Sequence, residues 1–216
     1  MNRHVCKTVS AWAALAMLIA CGGCTNFRDM MLYSFAKAPI KTVPAEFDKF
    51  SGKRVAVVIF ADQAVQYEYP MARLELATVV AQEIRAKLTK ANVVDPRIIL
   101  EQQDSDIHWD SMEKTRFGKL FGADYVLYVA LVDFSTREVG SLELVRGRIV
   151  ADVALYSTEQ EESKSCQWRN PNLRIEFPGG NDAKVRLSEN DIRYQTEKVF
   201  ADTLVKKFYT HKVEME

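Results

Sequence analysis

The chain has 216 residues, of which 48% are apolar and 27% charged, a balance typical of a globular protein rather than a disordered one. Its 29 basic residues equal its 29 acidic residues in number, and no run of Lys and Arg stands out, which excludes nucleic acid as a predicted partner. This length suits one domain of ordinary size with a short additional segment.

The first 20 residues follow the order of a secretory signal peptide. Arg3 and Lys7 give a positively charged start, and the ten apolar residues AWAALAMLIA (11–20) follow. This run is too short to span a bilayer, which takes about 20 apolar residues. We therefore predict that residues 1–20 are a signal peptide that is removed from the mature protein.

Two cysteines, Cys21 and Cys24, come directly after this segment in LIACGGC (18–24). LIAC resembles the bacterial lipobox, whose cysteine is acylated and becomes the first mature residue. We predict lipidation at Cys21, with Cys24 as the alternative register and a cleaved signal without lipid as a further alternative. A redox or zinc role for the C-x-x-C pair is not favoured, because a signal sequence precedes it and no second ligand pair follows it.

Residues 21–52 are predicted to be a lipidated tether, and residues 53–216 a single domain. Prolines and a glycine interrupt the tether, and no periodic pattern persists in it. Apolar residues between Phe27 and Phe35 fall near helical spacing. They predict a short helix that lies on the lipid surface, contacts a partner or, as we favour, packs on the domain.

The domain is predicted to open with a strand buried on both faces, because residues 55–60 form an unbroken apolar run. A helix is predicted to start near Pro70, since proline is tolerated in the first helical turn. A short strand at Val93 and a helix capped by Asp95, with Pro96 as its first residue, follow. The apolar face of the first helix is predicted at Leu74, Ala77, Ala81, Ile84 and Leu88.

The middle of the domain is predicted to hold one more helix and two long strands. Asp110 and Glu113 have the spacing of a capping box, and the helix they start is predicted to end at Gly122. The apolar run over 123–134 predicts a buried strand. The alternating segment 144–157 predicts a half-exposed antiparallel strand, paired with it through a turn near Gly140.

The last third is predicted to contain two short strands and a terminal helix. The strands are KSCQWR (164–169) and LRIEF (173–177), followed by a turn at PGGND (178–182). Ser188 and Asp191 have capping-box spacing at the start of the terminal helix. The order β-α-β-α-α-β-β-β-α predicts an α/β fold with a mixed sheet of about five strands and flanking helices.

Three motifs of the chain resemble those of a known family. These motifs are RVAVVIF (54–60), VVDPRIILEQQ (93–103) and KLFGADYVLYVALV (119–132). The family that they resemble is the curli-secretion lipoprotein family with its relatives. These relatives are the lipoprotein activators of penicillin-binding proteins and the amino-terminal domain of the Tol translocation protein. The resemblance departs at Pro96, where the family more often runs from aspartate straight to arginine. It implies a periplasm-facing lipoprotein whose domain binds other proteins.

The relatives imply two different functions. The secretion members build oligomeric pores from inserted hairpins with strands of about 9–11 residues, and we find no spare pair of such strands here. The activator type, a tethered domain that reaches a peptidoglycan synthase, suits the length and the tether better. We predict an adaptor or activator of this type, with an oligomeric export component and an envelope hydrolase as alternatives.

No catalytic, metal or cofactor site is predicted. His108 to Ser111 (HWDS) hold the residue types of a hydrolytic triad, but contiguous side chains diverge, and a capped helix start is the better interpretation. The segment DSD (104–106) lacks the glycine and distal glutamate of a calcium loop, so a solvated acidic turn is the better interpretation. Cys166, beside Trp168, is expected to be a packed thiol.

Arg146, Arg148 and Tyr156 are the predicted partner contacts. The two arginines project from one face of the same strand, and the tyrosine lies further along it. Exposed Arg and Tyr side chains are typical of binding surfaces, with solvated arginines as the alternative interpretation.

The predicted location is the cell envelope, on the periplasmic side. Gly22 and Thr25, rather than aspartate, follow the two candidate cysteines. Because an aspartate there retains lipoproteins at the inner membrane in some bacteria, the outer membrane is favoured. The expected partners are the membrane, through the covalent lipid, and an envelope protein, with a second copy of the chain as an alternative.

Overall fold

In a computed structural model of the chain, residues 40–137, 145–179 and 188–214 are described. The chain divides into two units, one of Met1–Lys41 with Val213–Glu216 and one of Thr42–Lys212. The second unit holds the main sheet and the helices. The predicted signal peptide, Cys21, Cys24, the helix near Phe27 and the turn near Gly140 lie outside the described residues.

The described ranges contain both strands and helices along their whole length. The strands are β1 (Ile40–Val43), β2 (Arg54–Phe60), β3 (Asn92–Val93), β4 (Tyr125–Arg137), β5 (Val145–Ser157), β6 (Cys166–Phe177) and β7 (His211–Glu214). The helices are α1 (Gln63–Glu68), α2 (Ala72–Lys87), α3 (Pro96–Ser105), α4 (Lys114–Leu120), α5 (Glu162–Ser165) and α6 (Glu189–Val205), with 3-10 turns at Trp109–Ser111 and Lys206–Phe208.

Five of these strands form one mixed sheet in the order β3-β2-β4-β5-β6. β2 runs parallel to β3 and to β4, whereas β4, β5 and β6 pair antiparallel. β1 pairs with β7 in a two-stranded sheet. The predicted α/β fold with a five-stranded mixed sheet is confirmed.

Two layers of helices cover the sheet. On its first face, α2 and α6 pack on alternate side chains such as Val57 of β2 and Val153 of β5. On its second face, α3, the first 3-10 turn and α4 pack on Val58 of β2 and Val126 of β4. Residues 55–59 are at most 1% exposed, so β2 is buried on both faces, as its apolar run predicts.

The helix predicted near Pro70 begins at Ala72. Its buried side agrees with the prediction at Ala77, Ala81 and Ile84 and differs from it elsewhere. Leu76 and Val80 are fully buried against the sheet, whereas Leu74 is half-buried at the side of the helix. Several apolar residues of this helix fit more than one stripe of helical spacing, and the position of the sheet selects one of them.

The predicted capping box of Asp110 and Glu113 is wrong. Trp109–Ser111 is a 3-10 turn, and α4 begins only at Lys114, without a cap from the preceding side chain. Glu162, far along the chain, supplies the cap. Its two carboxylate oxygens accept hydrogen bonds from the backbone N–H groups of Lys114 (3.1 Å) and Thr115 (3.0 Å).

The other two predicted helix starts are confirmed. Asp95 accepts a hydrogen bond from the backbone N–H of Arg97 at 3.0 Å, and Pro96 is the first residue of α3. Ser188 and Asp191 form a reciprocal capping box at the start of α6. The two short strands predicted before it are one strand, β6, whose register against β5 is irregular.

Residues 42–52, predicted as the end of the tether, lie within the second unit. Phe50 is 2% exposed and packs edge-on against Phe208, with ring centroids 4.9 Å apart. Glu46 accepts hydrogen bonds from the Trp168 indole and the Lys207 ammonium, both at 2.8 Å. These contacts attach the segment to β6 and to the turn that follows α6.

At Gly147, helix α6 lies so close to β5 that the strand has no room for a side chain. A Cβ atom there would lie 1.8 Å from Oγ1 and 2.8 Å from Cβ of Thr196. We therefore expect Gly147→Ala to push α6 away from the sheet and to lower the free energy of unfolding by about 1–3 kcal/mol. Urea denaturation measures this change.

Gly179→Ala is the matched control, because a Cβ atom at Gly179 has no neighbour within 4 Å. Its unfolding free energy should stay close to that of the wild type. Equal stability of the two variants would contradict the close approach of α6 to β5.

The cap from Glu162 predicts a stability difference that depends on pH. Partial burial raises the pKa of Glu162, but the backbone N–H groups of Thr115 and Lys114 lower it more, so the net pKa is below the ordinary value. A lowered carboxyl pKa stabilises the fold above the unfolded-state pKa and ceases to do so as the pH falls. Glu162→Gln should therefore cost about 1 kcal/mol near neutral pH and much less in acid.

Urea denaturation at neutral and acidic pH tests this prediction. Glu161→Gln is the control, since Glu161 makes no capping hydrogen bond with its side chain. If Glu162→Gln is as stable as Glu161→Gln at neutral pH, the carboxylate is not the cap of α4.

Candidate functional site: the open sheet face

The second face of the sheet is covered by described helices only in part. α3 and α4 lie over β2 and the first half of β4. Beyond them, β4, β5 and β6 carry a group of five charged side chains and one valine that no described helix covers. We call this group the open sheet face and define it by Val132, Asp133, Arg146, Arg148, Arg174 and Glu176.

The packing of the first face determines which side chains reach the open sheet face. The side-chain position of Gly147 faces Thr196 of α6, so the side chains of its neighbours Arg146 and Arg148 point to the opposite side. In β4, Leu131 and Phe134 both belong to the core of the first face. A bulge in β4 leaves two residues between them, Val132 and Asp133, on the other side.

Ion pairs order the charged groups of this face. Arg148 Nε donates to Asp133 Oδ2 at 2.5 Å, and Arg174 Nη2 donates to Glu176 Oε1 at 2.5 Å. Arg146 Nη1 lies 3.9 Å from the other carboxylate oxygen of Glu176. The hydrogen bond from Arg174, and then the charges of Arg174, Arg146 and Arg148, lower the pKa of Glu176, so Glu176 stays ionised.

The exposure of these side chains varies across the face. Arg146 and Arg148 retain 19% and 24% side-chain exposure, whereas Arg174 retains 58%. Val132 is 61% exposed, an unusual value for an apolar residue within a strand. The face thus combines held guanidinium groups with one protruding apolar side chain.

Tyr156 is not part of this cluster. It lies on the same strand face, eight residues beyond Arg148, which at about 3.3 Å per residue is about 26 Å away. Tyr156 packs beside the buried cluster under α4, and burial is the main cause that raises its pKa. The structure therefore brings Arg146 and Arg148 together and leaves Tyr156 apart.

Sequence reasoning missed four members of the site, namely Val132, Asp133, Arg174 and Glu176. Arg174 and Glu176 join the face only through the pairing of β6 with β5, where Glu176 lies opposite Arg148. Asp133 carried a usable signal, since it is the one acidic residue within the apolar segment 125–134. An isolated charge in such a run indicates a bulge or a buried ion pair.

The other described residues singled out in the sequence do not come together in a site. His108 is exposed, and Ser111 Oγ donates to Asp110 at 3.4 Å. Cys166, expected to be packed, is exposed instead, because it opens β6 at the edge of the sheet. Among the described residues, no three His, Cys, Asp or Glu side chains are grouped to hold a metal ion. No helix within the described ranges has the length and apolar character to cross a membrane.

No protein-family model matches the chain, and neither does any curated protein. Among solved structures, a PelC dodecamer from Paraburkholderia phytofirmans is 11% identical, with 79% of this chain and 98% of that chain covered and a TM-score of 0.47. A lipoprotein from Neisseria meningitidis is 13% identical, with coverages of 70% and 98% and a TM-score of 0.41.

A hypothetical protein from Chlamydia trachomatis is 10% identical, with coverages of 73% and 95% and a TM-score of 0.44. At such identities the likeness concerns the fold alone. The resemblance to the curli-secretion, activator and Tol families stays a prediction from the sequence motifs.

Proposed function

We propose that this chain is a lipid-anchored lipoprotein of the bacterial cell envelope, facing the periplasm, that acts as an adaptor or activator by binding a protein partner. The lipobox-like segment LIAC (18–21) supports the anchor. The open sheet face supports the binding role and is the observation that carries the proposal. A peptidoglycan synthase is the class of partner that the sequence resemblance implies.

The open sheet face differs from the half covered by α3 and α4 in that its charged side chains are accessible to a partner. A sheet normally buries both faces or presents a solvated one with scattered polar residues. Here a hydrogen bond to Asp133 orders Arg148, so less side-chain entropy is lost when a partner binds it. Arg146, with only 19% of its side chain exposed, lies 3.9 Å from Glu176. Ordered arginines beside the exposed apolar Val132 are a combination typical of interface hot spots.

The charge of the face indicates the chemistry of its partner. Three guanidinium groups surround two carboxylates, and Arg174 keeps more than half of its side chain exposed. Guanidinium groups pair best with carboxylates, which they bind through parallel hydrogen bonds. The partner surface is therefore expected to carry acidic side chains around an apolar contact.

A charge swap tests the role of the open sheet face. Arg148→Asp should abolish partner binding, because it reverses a charge at the centre of the face and places two carboxylates together. Adding Asp133→Arg restores an ion pair within the chain. The double variant should regain stability, a change of about 1 kcal/mol, but not binding.

Crosslinking in cells followed by mass spectrometry gives the readout. A photoreactive amino acid in place of Val132 should capture an envelope protein, and the Arg148→Asp background should lose that capture. Tyr67, which is 91% exposed and lies on α1, is the control position. Capture of the same proteins from both positions, or of no protein from Val132, would refute the binding role.

The lipid anchor is tested on the mature amino terminus. Mass spectrometry of the protein purified from membranes should show a chain that begins at an acylated Cys21. Cys21→Ser should release the protein from the membrane, whereas Cys24→Ser should not. The reverse result would assign the lipid to Cys24, and a water-soluble protein that retains Met1 would refute the anchor.

A further inference from the structure

β6 is the longer of the two edge strands of the main sheet. The order β3-β2-β4-β5-β6 leaves β3, with two residues, at one edge and β6, with twelve residues, at the other. β6 pairs with β5 on one side, and no described strand pairs with its other side. An edge strand presents backbone N–H and C=O groups without ladder partners, and a further strand can pair with them.

The two halves of β6 differ as edges for pairing. In the first half, Pro171 lacks an N–H group, Asn172 has a positive φ of 57°, and the register against β5 shifts between Asn170 and Leu173. Prolines and bulges are features that protect an edge from pairing. In the second half, residues 173–177 pair with β5 without a shift. The segment LRIEF (173–177) is therefore the regular part of the free edge.

The side chains of LRIEF alternate between the two faces of the sheet. Leu173 and Ile175 contact the core of the first face, and Phe177, two residues further along, lies on the same side. Arg174 and Glu176 lie on the open sheet face. Ile175 and Phe177 stay partly exposed at the edge although both are apolar, and a further strand beside β6 would cover them.

We propose that a second copy of the chain pairs with this edge, antiparallel and in the register that places Ile175 opposite Ile175 of the second copy. In this register Arg174 lies opposite Glu176 of the other copy, and Leu173 lies opposite Phe177. Every cross-strand pair then joins either opposite charges or two apolar side chains. A two-fold axis through Ile175 relates the copies, so each contact occurs twice.

The charges of Arg174 and Glu176 favour this arrangement. Within one copy, Arg174 Nη2 donates to Glu176 Oε1 at 2.5 Å. In the proposed pair, the four charged groups alternate in sign around the two-fold axis. Each guanidinium has one carboxylate beside it on its own strand and a second carboxylate across from it. The five N–H donors of an arginine side chain suffice for both.

The same segment disfavours the neighbouring registers. A two-fold axis keeps equal faces of the two sheets on the same side, so it passes through a residue and not between two residues. An axis through Arg174 or through Glu176 would place like charges directly opposite each other, which is destabilising. An axis through either end of LRIEF would bring Pro171 or Pro178 into the ladder, where proline has no N–H to donate. Only the axis through Ile175 avoids both penalties.

The proposed pairing would join two five-stranded sheets into one continuous sheet. Because equal faces stay on the same side, the two open sheet faces would lie next to each other. The contact uses no residue of the predicted tether and does not depend on the partner proposed above.

A cysteine on the two-fold axis tests the proposal in the full chain. Ile175→Cys is introduced into a background with Cys24→Ser and Cys166→Ser, and the protein is oxidised mildly in its membrane. Directly opposite residues of antiparallel strands have Cβ atoms about 4.5–5.5 Å apart, so a small adjustment permits a disulfide. We expect a covalent dimer on a non-reducing gel, and none from the background alone.

Arg169→Cys in the same background is the matched control. Arg169 is exposed on the same strand, but it lies six residues from Ile175. At about 3.3 Å per residue, its two copies would be about 40 Å apart in the proposed pair. Arg169→Cys should therefore form no dimer. Equal dimer from both cysteines, or no dimer from Ile175→Cys, would overturn the proposal.

Exchanged charges test the register itself. Arg174→Glu gives a copy with two carboxylates at these positions, and Glu176→Arg gives a copy with two guanidinium groups. Each, added to the Ile175→Cys chain and expressed alone, should lower the yield of dimer at least tenfold, because like charges then lie opposite each other.

Expressed together with tags of different size, the two variants should form a mixed dimer at the yield of the parent chain. Each carboxylate then faces a guanidinium of the other copy. Recovery in the mixture also shows that both variants fold, since neither chain regains its own ion pair. Absence of the mixed dimer would overturn the proposed register, and if neither variant accumulates, the comparison of Ile175→Cys with Arg169→Cys decides.

Discussion

The close contact between α6 and β5 at Gly147 is the constraint on which the rest of the structure depends. It determines which side chains of β5 face the helices and which face the open side of the sheet. The helix lies so close that no side chain fits between its Thr196 and the strand. Since side chains alternate along a strand, a residue without a side chain here sends Arg146 and Arg148 to the opposite face. One steric condition on the covered side therefore sets the charge of the uncovered side.

The same helix also carries a buried carboxyl group, that of Glu197. Ile192 and Leu204 of α6 face the sheet and are fully buried, whereas Arg193 and Glu197 turn toward α2. Because one side of α6 packs on the sheet and another side packs on α2, Glu197 is buried without being part of the apolar core.

The sequence predicted the parts of the fold that depend on local pattern. The apolar run of β2, the caps at Asp95 and Ser188 and the order of the five sheet strands and the longer helices appear in the structure, whereas the short elements β1, α1, α5 and β7 were not predicted. Local pattern gave wrong or incomplete predictions where a residue distant in the sequence determines the structure. Glu162 caps α4 from another part of the chain, and the hydrogen-bonded register of β6 brings Arg174 and Glu176 beside Arg148. For the candidate site, the two arginines were accessible to sequence reasoning, and the charge of Asp133 inside an apolar strand was a usable signal. Arg174 and Glu176 were not accessible, because only strand pairing brings them to the face.

The cap that Glu162 provides has a consequence for how the molecule opens. Glu162 lies on the connection between β5 and β6, and its carboxylate holds the first two N–H groups of α4. If that connection lifts, α4 loses both hydrogen bonds at once, and a helix of seven residues cannot persist alone in water. The hairpin end and the helix therefore form one cooperative unit, and fluctuations at the edge of the sheet extend to the cover of its second face.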